Sequence, residues 1–420
     1  MRERLVVVGN GMVGLRLVEE VTRRVPERFD ITVIGAEPVP AYNRVLLSAL
    51  LADEVTDEEC RFRDRRWYLA NRVRLITGAR ATGIDTAERE VRIGGHGVVP
   101  FDRLVLATGS EPIRLPAPGM DLPGVITFRD LADVALMREA ARRGSPAVVI
   151  GGGLLGLEAA YGLARAGVAV TLVHLADRVM ERQLDHGAAR IVEAAMRERG
   201  IDIVLEAQTA AVEGRDQVEA VRLADGRRLP AGLVVVAVGV RPSVGLAVGA
   251  GLSVERGVVV DDRLATSAQR VHAIGECVSH RGTVYGLVEP GYAQAVVLAR
   301  RLAGEDARYT GTLLATRLKV SGVPVFSAGD VTPPAGAEVI TLSDAAAGRY
   351  ARLVVAENRL VGAILVGETR HAGFFQDLIT RRADVSGMRD ALVFGPRAEA
   401  TAVAFEPETE PAAEAVAEAA

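Results

Sequence analysis

Near the start of the chain, apolar residues gather in a run too short for a helix, Leu5-Val-Val-Val8, which enters the turn Gly9-x-Gly11-x-x-Gly14. An amphipathic stretch follows to about Arg24, and a second apolar run, Ile31-Thr-Val-Ile34, ends near an acid, Glu37. The pattern predicts strand, glycine turn, helix, strand, acid. It then recurs. Ala147-Val-Val-Ile150 enters Gly151-x-Gly153-x-x-Gly156, a helical stretch runs to about Arg165, and Val170-Thr-Leu-Val173 ends at His174. Each unit is followed by an apolar strand that closes in a glycine-bearing turn: Leu104-Val-Leu-Ala107-Thr108-Gly109 in the first, Leu233 to Gly239 in the second. A further segment, Val271-His-Ala-Ile-Gly275-Glu276, ends in an acid.

The glycines have distinct physical jobs. The first makes the tight turn, the second lets a pyrophosphate approach the backbone, and the third lets helix and strand pack closely. The N–H groups at the helix start then face the phosphate charge. Glu37 lies at the spacing from Gly14 expected of an acid that bonds a ribose hydroxyl. One such turn would be weak in a chain with 44 glycines. Two of them, each set between a strand and a helix, predict two dinucleotide sites on α/β layers.

Composition narrows the classes. A length of 420 residues suggests two or three domains. Lys+Arg of 50 against Asp+Glu of 54 leaves a net charge of −4, which gives no basic face for nucleic acid. No apolar run reaches the ~20 residues of a membrane span, and the first strand begins too early for a signal peptide. A cytoplasmic protein is expected. Two cysteines, Cys60 and Cys277, exclude a disulfide framework, a multi-cysteine zinc site and a cluster held by four cysteines; no metal is expected. Lys319 is the one lysine, so any role that requires lysine is almost out of reach.

With these motifs the sequence resembles the two-dinucleotide-binding-domain flavoproteins, the pyridine nucleotide-disulfide oxidoreductase superfamily. The closer resemblance is to the FAD/NAD(P)H region of the NAD(P)H-dependent nitrite reductase large subunit. It is carried by Gly9-Asn-Gly-Met-Val-Gly14, Tyr42-Asn-Arg44-Val-Leu-Leu-Ser48 and Gly151-Gly-Gly-Leu-Leu-Gly-Leu-Glu158. Glu181-Arg-Gln-Leu-Asp185, Ala273-Ile-Gly-Glu-Cys277 and Gly286-Leu-Val-Glu-Pro-Gly-Tyr292 extend it.

The resemblance implies FAD at the first glycine turn and NADH or NADPH at the second, with NADH favoured. Gly9, Gly11, Met12 and Gly14 would take the FAD pyrophosphate, Glu37 its adenosine ribose, and Arg44 and Ser48 would lie near the flavin. Ala107, Thr108, Gly109, Gly275, Glu276 and Leu287 would line the same cofactor. Glu276 stands where the family usually has Asp, at the ribityl chain. Gly151, Gly153, Leu155, Gly156 and Gly239 would hold the nicotinamide nucleotide. Glu158 would sit beside the nicotinamide as a catalytic residue, with Arg44 as a second one and a substitute partner because Ala49 stands where some relatives have Lys. His174 occupies the place of a ribose-binding acid, with Arg178 and Arg182 further on as candidates for a 2′-phosphate.

Departures from the family bear on mechanism. The close cysteine pair of the disulfide reductases is absent, and so is the single cysteine of the NADH oxidases, near Tyr42-Asn43-Arg44. Cys277 reads as a small buried residue. Cys60 precedes an Arg-rich stretch, residues 61–66, that could lower its pKa, though no role is expected of it.

The resulting expectation is an α/β chain of two Rossmann-like dinucleotide-binding domains, one inserted in the other, plus a small C-terminal α+β domain. The FAD domain would comprise 1–113 and 240–308, the NAD(P)H domain 114–239, the C-terminal domain 309–395 and a disordered acidic tail 396–420. Strands are predicted at 338–342, 351–356 and 360–366 in the C-terminal part. The expected activity is electron transfer from NAD(P)H through FAD to a separate sirohaem/iron–sulfur or ferredoxin-like acceptor protein, as in the flavin subunit of assimilatory nitrite reductase. A ferredoxin or rubredoxin reductase of an oxygenase system, a peroxide-forming NADH oxidase and a non-catalytic flavin or nucleotide sensor are the alternatives. A homodimer is compatible with each.

Overall fold

The computed structural model describes residues 2–95, 97–320 and 322–396; the acidic tail from 397 onward lies outside them. Residues through Leu314, with Lys319–Val323, form one compact unit, and Ala315–Leu318 with the described residues from Pro324 onward form another.

The first unit holds two five-stranded parallel sheets. One runs Val271–Ala273, Arg103–Leu106, Glu3–Val8, Phe29–Ile34, Val73–Ile76 across its width. The other runs Ile201–Val204, Val170–Val173, Ala147–Ile150, Leu233–Val236, Val125–Thr127. In both, the strand that enters the glycine turn is central. Leu5, Val6 and Val7 are at most 1% exposed, and Val148 and Val149 are fully buried, because strands covered on both faces read as continuous apolar runs. The edge strand is imported in each case. The first sheet takes Val271–Ala273 from beyond the whole second sheet, and the second takes Val125–Thr127 from before its own glycine turn.

A feature the apolar pattern did not signal appears in both halves. Just before Arg103–Leu106 in the first half and Leu233–Val236 in the second, the chain forms a three-stranded antiparallel ribbon: Ala81–Asp85, Glu90–Ile93 and Gly97–Pro100 in the first, Thr209–Glu213, Ala220–Leu223 and Arg228–Pro230 in the second.

Helix Met12–Arg24 buries Leu15, Leu17, Val18 and Val21 and packs along helix Val288–Leu302. Their contact is close. A Cβ added at Gly291 would lie 2.5 Å from Val13 Cγ2, and one at Gly275 3.4 Å from Val13 Cγ1. This packing brings Gly275 and Glu276 to the start of the first glycine-turn helix.

In the second unit five strands run Ala315–Val320, Val323–Gly329, Arg359–Val366, Arg349–Ala356, Glu338–Asp344. The last three contain the predicted segments, and helix Ala372–Arg381 packs on Arg359–Val366. Phe375, Val366 and Phe326 are fully buried there. Among the described residues no helix is long and apolar enough to cross a membrane.

Candidate functional site

The two glycine turns are close copies. Gly9 and Gly151 both have φ of +117°, a region only glycine enters freely. A Cβ there would lie 2.0 Å from the Ala107 carbonyl oxygen in the first turn and 2.3 Å from that of Ala237 in the second. Gly14 and Gly156 press back on the same turns, their added Cβ atoms falling 2.1 Å and 1.8 Å from the carbonyl oxygens of Gly9 and Gly151. Gly11 and Gly153 differ: a Cβ at either would meet no atom within 4 Å. Both cap their helices, starting at Met12 and Leu154, and neither helix has a side-chain cap, so its first N–H groups face that open space. The geometry is two cradles for a phosphate-bearing ligand.

Around the first cradle the predicted residues are joined by ion pairs. Glu37 accepts from the Tyr42 hydroxyl at 2.7 Å and from the Arg44 guanidinium. Arg44 also stacks on the Tyr42 ring, 5.3 Å from its centroid, and donates to the Arg129 carbonyl at 2.7 Å. Arg129, which the sequence did not single out, donates to Glu276 Oε2 and to Ser110 Oγ at 2.6 and 2.7 Å. Ser110 in turn donates to Glu276 at 2.6 Å. One arginine therefore links the two acids expected at the opposite ends of a dinucleotide, directly to Glu276 and through Arg44 to Glu37. Thr108 Oγ1 donates to the Ser243 carbonyl, Gly109 has φ of +67°, and the Gly275 N–H donates to buried Gln294. Leu287 caps helix Val288–Leu302.

Ser48 lies on the short helix Leu47–Leu51, which packs against the second glycine-turn helix, Leu154–Arg165. Leu51 meets Gly162, and Tyr161 donates to Glu54 at 3.2 Å. Glu158 projects from that helix. Burial alone pushes its carboxyl up to about 7, with no charged partner contributing. Arg44 is thus not the partner imagined for Glu158: its guanidinium is held by Glu37 and the Arg129 carbonyl.

The turn after Val170–Val173, beside the second cradle, is also ordered. The Gly152 N–H donates to His174 Nδ1 at 3.0 Å, and His174 Nε2 meets Glu181 Oε2 at 3.1 Å. The Met180 N–H donates to the Gly152 carbonyl at 2.9 Å, tying the turn to the glycine loop. Arg178 does not face the cradle as a free cation. Its three nitrogens bond the Leu184 carbonyl, Asp177 and the Glu181 carbonyl. Leu155 and Gly156 lie in the first turn of the helix, and Gly239 has φ of +115° beside Ile113.

A family model for pyridine nucleotide-disulphide oxidoreductases matches residues 3–299. The chain belongs to the pyridine nucleotide-disulphide oxidoreductase family. A second model, the rubredoxin NAD+ reductase C-terminal domain, matches residues 315–383 of this oxidoreductase. A nitrite reductase [NAD(P)H] from Bacillus subtilis (strain 168) is 42% identical over 92% of the chain and 48% of its own length. The chain thus spans about half the length of the nitrite reductases it matches. The ferredoxin–NAD(+) reductase component of the biphenyl dioxygenase system of Paraburkholderia xenovorans (strain LB400) is 30% identical, over 92% of the chain and 95% of its own length. Among solved structures, a covalent putidaredoxin reductase–putidaredoxin complex superposes with a TM-score of 0.84, at 27% identity, over 91% of this chain and 94% of that one.

The enzyme is an FAD-dependent NAD(P)H oxidoreductase. The first cradle fits FAD on its own geometry. Gly11 opens onto free space, Glu37 and Glu276 stand apart along the sheet edge, and the buried donors Asn10 Nδ2 and Arg129 Nε have no hydrogen-bond partner among the described residues. FAD held there would supply hydride acceptance and electron release. The residues that would hold it bind and orient; none needs to move a proton.

The two cysteines are not joined in a disulfide. Both are free and buried. Cys277 bonds weakly to the Leu106 and Ile274 carbonyls, and burial raises its thiol pKa. The arginines after Cys60 do not depress its pKa as their sequence suggested. Burial, with Asp57 and Glu59, raises it. Neither thiol is expected to react with a chromogenic thiol reagent before the protein unfolds. Anaerobic reduction with NAD(P)H should expose no new reactive thiol, and a gain of two thiols on reduction would reveal a disulfide relay.

Proposed function

We propose that this chain carries electrons from NAD(P)H, through FAD in the first cradle, to a one-electron acceptor centre outside residues 1–420, and that the acceptor is the sirohaem/iron–sulfur part of an assimilatory nitrite reductase. The observation that carries the first half is the paired cradles, with Glu158 on the helix that packs against the Leu47–Leu51 segment. Cys277, beside Glu276, is fully buried and not joined to Cys60, so in this reading the electrons leave by another route. Likeness to the Bacillus subtilis nitrite reductase, and to its assimilatory nitrate reductase electron transfer subunit at 38% identity, supports the choice of acceptor. The discontinuous strand Val271–Ala273 supports an FAD domain made of two chain segments around an NAD(P)H domain. The two free cysteines suit a reducing compartment such as the cytoplasm.

A ferredoxin reductase serving an oxygenase is the second reading, favoured by the full-length match to the biphenyl dioxygenase component. The test is steady-state oxidation of NADH and NADPH with two acceptors in parallel, a sirohaem/iron–sulfur nitrite reductase protein and a [2Fe–2S] ferredoxin. Faster turnover with the first, accompanied by nitrite loss, supports the proposal. Faster turnover with the ferredoxin moves the function to the second reading, and bleaching of the flavin with neither acceptor reduced would remove both.

A further inference from the structure

In a dinucleotide fold the residue at the end of the second strand reads the adenosine ribose. An acid there bonds the 2′-hydroxyl and repels a 2′-phosphate. Strand Val170–Val173 ends instead in His174, which carries no such acid. The structure nevertheless brings a carboxylate to this place from seven residues downstream. The backbone N–H of Gly152, inside the glycine loop, donates to His174 Nδ1. That bond leaves the ring proton on Nε2, and Nε2–H then donates to Glu181 Oε2 at 3.1 Å. The neutral imidazole is sufficient for both bonds. The turn carrying Glu181 is fastened to the same loop by the bond from Met180 N–H to the Gly152 carbonyl.

Space and charge around the pair are selective. A Cβ at Gly152 would fall 2.7 Å from the His174 ring, so the ring lies directly on the glycine loop. Glu181 is 35% exposed and His174 11%, which leaves the carboxylate facing solvent and its imidazole support enclosed. Oε2 is held by the ring, and no hydrogen bond engages Oε1 among the described residues. Of the two cations that could welcome a phosphate, Arg178 has its guanidinium bound to two backbone carbonyls and Asp177, and Arg182 is exposed, one residue after Glu181.

We infer that Glu181, positioned by His174 against the glycine loop, is the residue that selects NADH over NADPH. This rests on the assignment of the second cradle to a nicotinamide nucleotide. Oε1 accepts the 2′-hydroxyl of the adenosine ribose, and the carboxylate repels a 2′-phosphate at the same place. His174 is a positioning residue. It sets the carboxylate and touches no reacting atom.

The experiment is calorimetric titration of the FAD-loaded protein with ADP-ribose and with 2′-phospho-ADP-ribose, probes that bind without any hydride transfer. Wild type is expected to bind ADP-ribose about 100-fold more tightly, the size of discrimination that a like-charge contact provides. In Glu181→Gln the ratio should fall to within about tenfold, a loss of at least one factor of ten. Glu181→Asp keeps the charge and should retain most of the discrimination, which a merely structural role for the turn would not produce. His174→Ala should narrow the ratio as Glu181→Gln does, and the double variant should narrow it no further. Flavin content and thermal unfolding of each variant report whether the fold survives. Equal binding of the two probes by wild type, tighter binding of the phosphorylated probe, or an unchanged ratio in Glu181→Gln would overturn the inference. Failure of wild type to bind either probe would instead remove the assignment of the second cradle on which it rests.

Discussion

Gly153→Val is expected to give a folded yellow protein whose flavin NAD(P)H barely bleaches, while Gly11→Val gives a folded protein without colour. The contrast follows from two backbone facts. Both glycines have extended conformations that any residue adopts, with φ of −95° at Gly11 and −77° at Gly153. Both would point a Cβ into space that no protein atom occupies within 4 Å. The side chain therefore costs the fold little and fills the place where a pyrophosphate must meet the helix N–H groups. The flavin reduction rate of Gly153→Val should fall by at least about 100-fold, since a displacement near 1 Å of a reacting group already costs that much. Stopped-flow absorbance of the flavin measures it, and circular dichroism checks the fold. Gly14→Ala and Gly156→Ala are the controls. Their Cβ atoms would collide with carbonyl oxygens about 2 Å away, so these variants should lose the fold together with the ligand. Retention of FAD by Gly11→Val, or rapid reduction of Gly153→Val, would show that the cradles are not the binding sites.

Glu158 should give the protein a pH dependence centred near neutrality. Burial raises its carboxyl from an ordinary value of 4.5 to about 7. An acid whose folded pKa is raised binds more protons folded than unfolded between those values. Stability contributed by the site is therefore complete below pH 4.5, falls as pH climbs to about 7, and is level above it. The loss is on the order of 3 kcal/mol. Glu158→Gln removes it, so the variant should melt higher than wild type at pH 8 and no higher at pH 4.5. Function should move the other way. A nicotinamide that has given up its hydride is positive, and an ionised carboxylate beside it is stabilising. The rate of flavin reduction in wild type is expected to rise through pH 7, while Glu158→Gln is flat with pH and slower by about tenfold at pH 8. Scanning calorimetry and stopped-flow reduction across pH 5–9 test both arms. A flat wild-type profile would place Glu158 away from the nicotinamide.

Much of the architecture was readable because parallel strands buried on both faces leave unbroken apolar runs, and because each glycine turn stands between such a strand and a helix. Val170–Val173 announced itself in this way, and Arg359–Val366, though antiparallel, did so because it is the central strand of its sheet. The antiparallel ribbons did not. Their strands are three to five residues long, and in Glu90–Ile93 only Val91 and Ile93 alternate inward, too short a signal beside so many turn residues. Site residues on the motifs were found for the same local reason. Arg129 was missed because its role depends on partners far along the chain: Glu276 lies 147 positions away and Arg44 85. Nothing in Thr127-Phe-Arg-Asp130 marks that meeting. At His174 the sequence suggested a missing acid, and the fold returned one. A turn of the chain carries Glu181 back to the imidazole, which spacing along a strand cannot reveal.

The imported edge strand has a consequence for the order in which the protein is made. The strands around the first glycine turn emerge before those around the second, yet Arg103–Leu106 cannot pair with Val271–Ala273 until about 160 further residues have been translated. At 5–20 residues per second that is roughly 10–30 s during which the older half waits with an open edge. The second sheet imports its outer strand from upstream, so all five of its strands are available once Leu233–Val236 has emerged. The nascent chain should therefore complete its second nucleotide-binding layer first. The layer that begins at residue 3 closes last, which makes flavin capture a late event and leaves unfinished chains able to engage a nicotinamide nucleotide before they can hold the flavin it reduces.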